Sequence, residues 1–375
     1  MPAGTQVPAG VFVHEAGTGL IMHMASPPET EARQACLSDV PLDVPLSDKV
    51  RALQSADAWP HATGSIEIIE THFAWVFLAG DYAYKLKKIM GNAAMTHQSL
   101  AVRRQLCERE LHLNRRLAPT IYLDVVPLTM DSNRRMRIDA AGDAMDWLIR
   151  MRRLERNCFL DRNWHSPLVN ADTLQRLILM LVEFYQRQSP EQWDVAAYCN
   201  RLKAQVNDNE RELTSPELGL SGEIIRTLTE RQRKFMEQSA QLLGQRALGG
   251  KIIEVHGDLR PEHIYLGTPM CVIDCLEFDR DLRLMDPLEE LAFLLVECSV
   301  AGAAWIGHDL IAAYQRLCND NAPDALLNFY ASHRAATRAK IVAWHLLDPQ
   351  FRDRADWRAI AGQYLHLALS HLATC

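Results

Sequence analysis

The chain has 375 residues, enough for one large domain or for two lobes, each with its own core. Its 48% hydrophobic and 23% charged residues are those of an ordinary soluble globular protein, and a net charge of −7 gives no nucleic-acid footprint. The nine cysteines (Cys36, Cys107, Cys158, Cys199, Cys271, Cys275, Cys298, Cys318 and Cys375) are odd in number and scattered through a long chain, which argues against a disulfide framework. Cys271 and Cys275 are close, but no second pair completes a zinc site, so both read as buried apolar residues of a chain kept in a reducing cytoplasm. No basic segment followed by an apolar run marks a signal peptide, and no apolar stretch reaches membrane-spanning length.

Residues 1–45, rich in Gly, Pro, Ala and Ser, read as a poorly ordered tail, and order is expected from a short helix near Ser47. Residues 65–71, 75–79 and 82–88 read as three strands, with Gly80-Asp81 as a hairpin turn between the second and third. A helix is expected from Ser99 to Leu117, stopping before Pro119, followed by strands at 121–128 and 144–151 with a hydrophilic turn at 130–143. This makes five strands and one helix up to about residue 150. Beyond it, helical periods dominate at 172–188, 191–206, 221–246, 287–302, 306–318, 322–347 and 355–373, interrupted by one β-rich island at 251–279. The fold class expected is therefore α+β, with a small β-rich lobe at 46–150 and a larger, mainly helical lobe at 151–375.

The β-rich island carries most of the candidate chemistry. The stretch V-H-G-D-L-R-P-E-H at 255–263 follows an apolar strand, and M-C-V-I-D ends at Asp274. Phosphoryl transfer needs an orienting carboxylate for the incoming hydroxyl, hard oxygen ligands for a phosphate-bound cation, and a cation on the phosphate oxygens. Asp258 is the candidate orienting carboxylate, with His256 buttressing the loop, and Asp274 the candidate metal ligand. The two β-rich runs are expected to pair as a small hairpin that brings both acids to the same side. Of the acids that follow, Glu277 is either a second ligand or a surface charge, and Asp279 reads as exposed. D-P-L-E-E at 286–290 reads as a helix start capped by Asp286, which positions the helix and braces the loop.

In the first lobe, Ala83, Lys85 and Lys87 share one face of a strand, opposite Tyr82, Tyr84 and Leu86. Ala83 leaves room for a base and Lys85 can reach a phosphate. Leu106, Glu110, Leu113 and Leu117 fall on one helical stripe, so Glu110 is an acid on an apolar face and needs a partner that a strand lysine would supply. Glu108 reads as a solvated charge.

Strand lysine, helix glutamate, H-G-D loop, I-D motif and D-P helix start, in that order over residues 60–300, resemble the aminoglycoside phosphotransferase family of the protein-kinase-like superfamily. The segments H-G-D-L-R-P-E-H-I and V-I-D-C-L-E-F-D resemble more closely a bacterial subgroup of predicted phosphotransferases. The resemblance implies a protein-kinase-like two-lobe fold and transfer of the γ-phosphate of ATP or GTP, with Mg²⁺ or Mn²⁺, to a hydroxyl of a small molecule. It implies Asp258 as the catalytic aspartate, with His256 and Arg260 beside it, and a metal set of Asp274, His263 and Glu277. For the nucleotide it implies Lys85 (or Lys87 in an alternative alignment) paired with Glu110, and Ala83 and Met151 beside the adenine, in the strand and hinge of 147–151. A P-loop kinase-like domain often follows in the subgroup; with no G-x-x-x-x-G-K-[ST] before Cys375, it is expected to be absent here.

The sequence departs from the family pattern at His263, where asparagine is usual, at Cys275, where glycine usually follows I-D, and at T-H-F-A (71–74), which is not glycine-rich. His263 motivates a second reading, a nucleotide-binding regulatory protein with weak or no catalysis. A protein kinase is disfavoured because no A-P-E segment follows Asp274. The acceptor pocket is expected in the helical lobe after residue 160, where Glu183 and Asp194 either serve a cationic acceptor or are ordinary surface charges.

Overall fold

The computed structural model describes residues 44–61, 64–71, 73–88, 99–349 and 351–373, so the expected N-terminal tail lies almost wholly outside them. The described residues form two compact units that meet in sequence between Glu155 and Arg156. The architecture is α+β: a sheet-based first unit and a mainly helical second one.

The first unit opens with α1 (Leu46–Leu53) and continues into β1 (Ile66–Glu70), β2 (Ala74–Ala79) and β3 (Tyr82–Lys87). Helix α2 (Leu100–Asn114), capped by Ser99, precedes β4 (Tyr122–Met130), β5 (Met136–Ile138) and β6 (Asp143–Arg152). The strands form one antiparallel sheet in the order β1-β2-β3-β6-β4-β5. Gly80 turns the β2–β3 hairpin at a φ of 59°, which glycine adopts without a side-chain penalty. The stretch 130–143 is more than the turn expected of it. Its middle pairs with β4, with Ile138 opposite Leu128 and fully buried, which makes six strands rather than five. Three residues among charged ones are too few for a period-2 signal. On the core side Tyr84 and Leu86 of β3 pack with Phe77, Leu53 and Trp59, whose ring meets Tyr84 edge-on at 4.9 Å.

Of the expected stripe, Glu110, Leu113 and Leu117 are buried and Leu106 is only half-buried; the buried face of α2 also takes in Arg103, Cys107 and Asn114. Arg103 can be buried because it forms a fork with Asp146 of β6, at 2.6 and 2.7 Å. Lys49 of α1 reaches the same carboxylate at 2.8 Å, and all three side chains are nearly sealed from solvent. One carboxylate thus ties α1, α2 and the sheet together. Asp146→Ala would strand two buried cations, so it is expected to lower the unfolding free energy of this unit by about 3–5 kcal/mol. Removing Glu108, whose pair with Arg104 is exposed, should cost no more than ~0.5 kcal/mol. Urea titration of the two variants checks both; equal effects would contradict the role given to Asp146.

The second unit contains α3 (Ala171–Gln186), α4 (Val195–Leu213), α5 (Gly222–Gln238), α6 (Ala240–Leu248), α7 (Pro287–Val300), α8 (Ala304–Cys318), α9 (Asp324–Trp344) and α10 (Trp357–His371). The helix expected at 191–206 is shifted: it begins only after Asp194, which caps the Ala197 N–H at 2.7 Å, and continues to Leu213. The helix expected at 221–246 is broken at Ser239, which leaves helical geometry and serves as both C-cap and N-cap. Helix α7 is buried from Pro287 through Cys298, which makes it the centre of this unit's core.

Between α6 and α7 the β-rich island forms two short ribbons. β7 (Ile253–Glu254) pairs with β10 (Leu284–Met285), and β8 (Ile264–Tyr265) pairs with β9 (Cys271–Val272). The strand before H-G-D therefore does not form the expected hairpin with the strand before Asp274. The hairpin is β8–β9, with His263 immediately before one strand and Asp274 two residues past the other. Cys271 and Cys275 are both buried, as expected. No helix among the described residues is long and apolar enough to cross a membrane.

Candidate active site

In the first unit, Glu110 of α2 is fully buried and takes both β3 lysines, Lys85 at 2.8 Å on one oxygen and Lys87 at 2.5 Å on the other. Both lysines hold the same carboxylate, so the ion pair does not distinguish the two alignments considered from sequence. Ala83, two residues before Lys85, is buried and lies directly across from Met151 of β6. The face that carries the lysines thus continues into a small apolar patch on two adjacent strands.

In the second unit, the loop 255–260 has little regular structure, yet its backbone is held at several points. Gly257 adopts a φ of +86°, and a Cβ there would meet Arg283 Cγ at 2.9 Å and Leu276 Cβ at 3.2 Å, so glycine is required both for conformation and for space. The His256 ring accepts the Asp258 N–H at Nδ1 (3.3 Å), which leaves the proton on Nε2 to donate to the Ile273 carbonyl at 3.0 Å. The His256 carbonyl accepts in turn from Leu276 N and Cys275 Sγ. The imidazole expected to buttress the loop fastens it to the segment that carries Asp274.

Asp258 is buried, and burial pushes its carboxyl above the usual range against the opposing pull of His263, Arg260 and Arg338. Arg260 is itself buried, paired with Glu262 and 3.8 Å from Glu297. Glu297 of α7 also takes Arg338 of α9 at 2.8 Å and the Tyr364 hydroxyl of α10 at 3.1 Å. Glu262, Glu297, Arg338 and Tyr364 were not singled out from sequence. The last three lie 39 to 106 positions beyond Asp258 on helical patterns that look like core or surface.

Two acids at the start of α7 have separate roles. Asp286 caps α7 through the Leu288 N–H at 3.0 Å and is gripped by Arg246, which bridges it to Asp320. Its role is the structural one expected of it. The bracing of the loop falls instead to Glu290, which sequence reading passed over. Glu290 is fully buried and accepts the Gly257 N–H at 2.6 Å, the His256 N–H, and the Tyr185 hydroxyl at 2.7 Å.

His263 and Asp274 are brought together by the β8–β9 ribbon, with Nε2 and Oδ2 at 3.7 Å. Asp274 has a φ of +61°, a conformation unusual for a side chain other than glycine, and is the more open of the two. Glu277 is buried, and among the described residues no group of three or more His, Cys, Asp or Glu side chains is arranged to hold a metal ion. Asp279, expected to be exposed, is half-buried and shapes a turn by accepting the Asp281 N–H. Of the acids weighed for an acceptor, Glu183 is exposed and paired with Arg187, and Asp194 is the helix cap already described.

Burial raises the Glu290 carboxyl from 4.5 to about 7. The folded state therefore binds a proton that the unfolded chain releases between pH 4.5 and 7, and stability from this group falls as pH rises through that window. The span amounts to something on the order of 3 kcal/mol. Glu290→Gln keeps an acceptor for Gly257 and removes the titration. The stability of the variant relative to native protein should rise from pH 5 to pH 7 and then level off. Denaturant melts at several pH values check this; a difference that does not vary with pH would refute it.

A β-rich unit with two α-helices, followed by a mainly helical unit whose loops carry H-G-D and I-D, makes an α+β fold. No protein-family model matches the chain. Two curated relatives, uncharacterized protein Rv2004c of Mycobacterium tuberculosis (strain H37Rv) and uncharacterized protein Mb2027c of Mycobacterium bovis, are 29% identical over 311 residues, which is 82% of this chain and 60% of theirs. The chain thus spans about 60% of the length of the curated relatives it matches. Among solved structures it is similar to a choline/ethanolamine kinase family protein from Mesorhizobium loti, with a TM-score of 0.47 and 16% identity over 87% of this chain and 98% of that one. It is also similar to aminoglycoside phosphotransferase APH(3'')-Id from Streptomyces rimosus in complex with ADP and streptomycin, with a TM-score of 0.40 and 18% identity over 78% and 97%.

Proposed function

We propose that the protein is an ATP- or GTP-dependent phosphotransferase that moves the γ-phosphate to a hydroxyl of a small molecule, with Asp258 orienting that hydroxyl and accepting its proton. The observation that carries the reading is the setting of Asp258. A buried carboxylate sits on a loop fixed by Gly257, His256 and Glu290, with Arg260 and Arg338 near it and the Asp274–His263 pair at the adjoining ribbon. Such preorganisation is what phosphoryl transfer asks of a protein, since little covalent work is left to the side chains.

Asp274 and His263 fit a divalent cation: a carboxylate oxygen and an imidazole nitrogen within reach of one ion. When bound, the cation would neutralise charge on the nucleotide phosphates. Glu277 would act behind them. In the first unit, Lys85 would contact phosphate while Lys87 keeps Glu110 in place, and Ala83 and Met151 would border the adenine.

A second reading, a regulatory nucleotide-binding protein with weak or no catalysis, is favoured by His263, which stands where the family usually has asparagine. Two measurements separate the readings. Native protein should be stabilised thermally by nucleotide with Mg²⁺ or Mn²⁺ and should turn ATP over. Asp258→Ala should keep the stabilisation and lose turnover by at least ~100-fold. Stabilisation without turnover of the native protein in either metal would select the regulatory reading. Lys85→Met should weaken nucleotide binding more than Lys87→Met, as read by nucleotide titration of both variants; the reverse order would exchange their roles.

A further inference from the structure

Arg334 of α9 carries a guanidinium that makes no hydrogen bond among the described residues. Its side chain is 13% exposed and its Nε is sealed from solvent. The carboxylate it approaches, Glu289 of α7, lies 3.9 Å from Nη1, beyond hydrogen-bond length. A charge taken out of water without such partners is costly. The guanidinium is instead stacked over the Phe293 ring at 4.6 Å, which orients its plane and leaves its fork of N–H groups unspent.

Its neighbours share the condition. Arg201 of α4 gives Nη2 to the Asp281 carbonyl, but its Nη1 is buried without a partner among the described residues. The same holds for Trp193 Nε1, whose ring lies 5.3 Å from the Arg201 guanidinium. His333 of α9 is 2% exposed; its Nδ1 is 3.3 Å from Glu289 Oε1 and its Nε2 has no partner. Arg201, His333 and Arg334 all act on Glu289, so α4, α7 and α9 gather these groups around one carboxylate. Burial works against the charged form of Glu289, and the three neighbours outweigh it and hold the carboxyl below the usual range. Asp286, three residues earlier, is spent on Arg246. Two guanidiniums thus face one carboxylate, a positive balance whatever the charge of His333.

The cluster lies beside the loop that carries Asp258. Arg334 is within electrostatic reach of Glu290, which accepts the Gly257 N–H, and Arg338, four residues further along α9, acts on Asp258. Four residues of helix span about 6 Å, a separation that a small molecule bridges.

We propose that Arg334 and Arg201 bind an anionic group of the acceptor, a carboxylate or a phosphate, so that the substrate is a small hydroxylated acid or phosphate ester and not a cationic or neutral alcohol. This rests on the phosphotransferase reading for the transfer but not for the anion site. A stacked guanidinium with an open fork matches two oxygens of either group. In the transfer, the acceptor oxygen bonds to the γ-phosphorus as the bond from that phosphorus to the β–γ bridging oxygen breaks. The nucleoside diphosphate leaves with the electron pair, and the hydroxyl proton passes to Asp258. The anionic group changes no bond and serves to position the hydroxyl.

Calorimetry with glycerate, glycerol 3-phosphate, choline and glycerol tests this, in the presence of a non-hydrolysable ATP analogue that keeps anions off Lys85. Glycerate or glycerol 3-phosphate should bind native protein, and their relative affinity separates a carboxylate from a phosphate ester. Arg334→Met and Arg201→Met should each weaken that binding about tenfold or more. Arg334→Lys keeps the charge without the fork and should fall between. Arg187→Met, at an exposed pair on α3, should leave it unchanged. If Arg334→Met does not fold, Arg334→Lys and Arg201→Met carry the test. Binding of neither anion, tighter binding of choline or glycerol, or anion affinity unchanged in the Arg334 and Arg201 variants would overturn the proposal. Anion binding that depends on Arg334, with no phosphorylation by ATP in Mg²⁺ or Mn²⁺, would sink the phosphotransferase reading and leave the anion site standing. Phosphorylation of choline or glycerol alone would do the reverse.

Discussion

The chemistry-bearing loop of the helical unit depends on one buried carboxylate. Residues 255–260 run through the interior with almost no strand or helix to satisfy their backbone, and an unpaired buried N–H costs about as much as a lost hydrogen bond. Glu290 meets this by accepting the N–H groups of His256 and Gly257 from the first turns of α7. Helix α7 is buried along nearly its whole length, so the carboxylate is carried on a helix enclosed by the core. Asp286, four residues earlier, holds the helix start through Arg246. The position of Asp258 is thus set by the core and not by the flexibility of a surface loop.

The electrostatics follow the same plan. Burial disfavours a charged Asp258, and the nearby guanidinium groups of Arg260 and Arg338 oppose that cost. Those guanidiniums are themselves held by Glu262 and Glu297, so the cations stay in place without being free to collapse onto Asp258. The first unit repeats the device. Glu110 is sealed among protein atoms and can be so because Lys85 and Lys87 are shared with it, while the Asp146 triad fixes the helix that carries it.

The regular elements were largely legible because they follow from short-range pattern. Alternation at 82–88 marked β3, Ser99 marked the start of α2, and Asp286-Pro287 marked the start of α7. The failures have physical causes. β5 is too short to show a period, the break at Ser239 lies inside an unbroken helical pattern, and the inner face of α2 adds Arg103 and Asn114 to the stripe expected around Glu110. The partner of the strand before H-G-D was misjudged because ribbons of two residues carry no register information of their own.

The sequence by itself determined the order of the chemical groups: lysine, glutamate, H-G-D, I-D and a capped helix, each recognisable within a few residues. It also supported the placement of Glu110 on a face that needs a cation. Only the tertiary structure decided which polar residues meet. Asp146 joins Lys49 across 97 positions, Glu290 reaches back to Gly257, and Arg338 comes within electrostatic reach of Asp258. His263 and Asp274 face each other because a two-residue ribbon aligns them. Local periodicity records which side of an element is buried, but the partner of a buried charge is fixed by packing between distant segments.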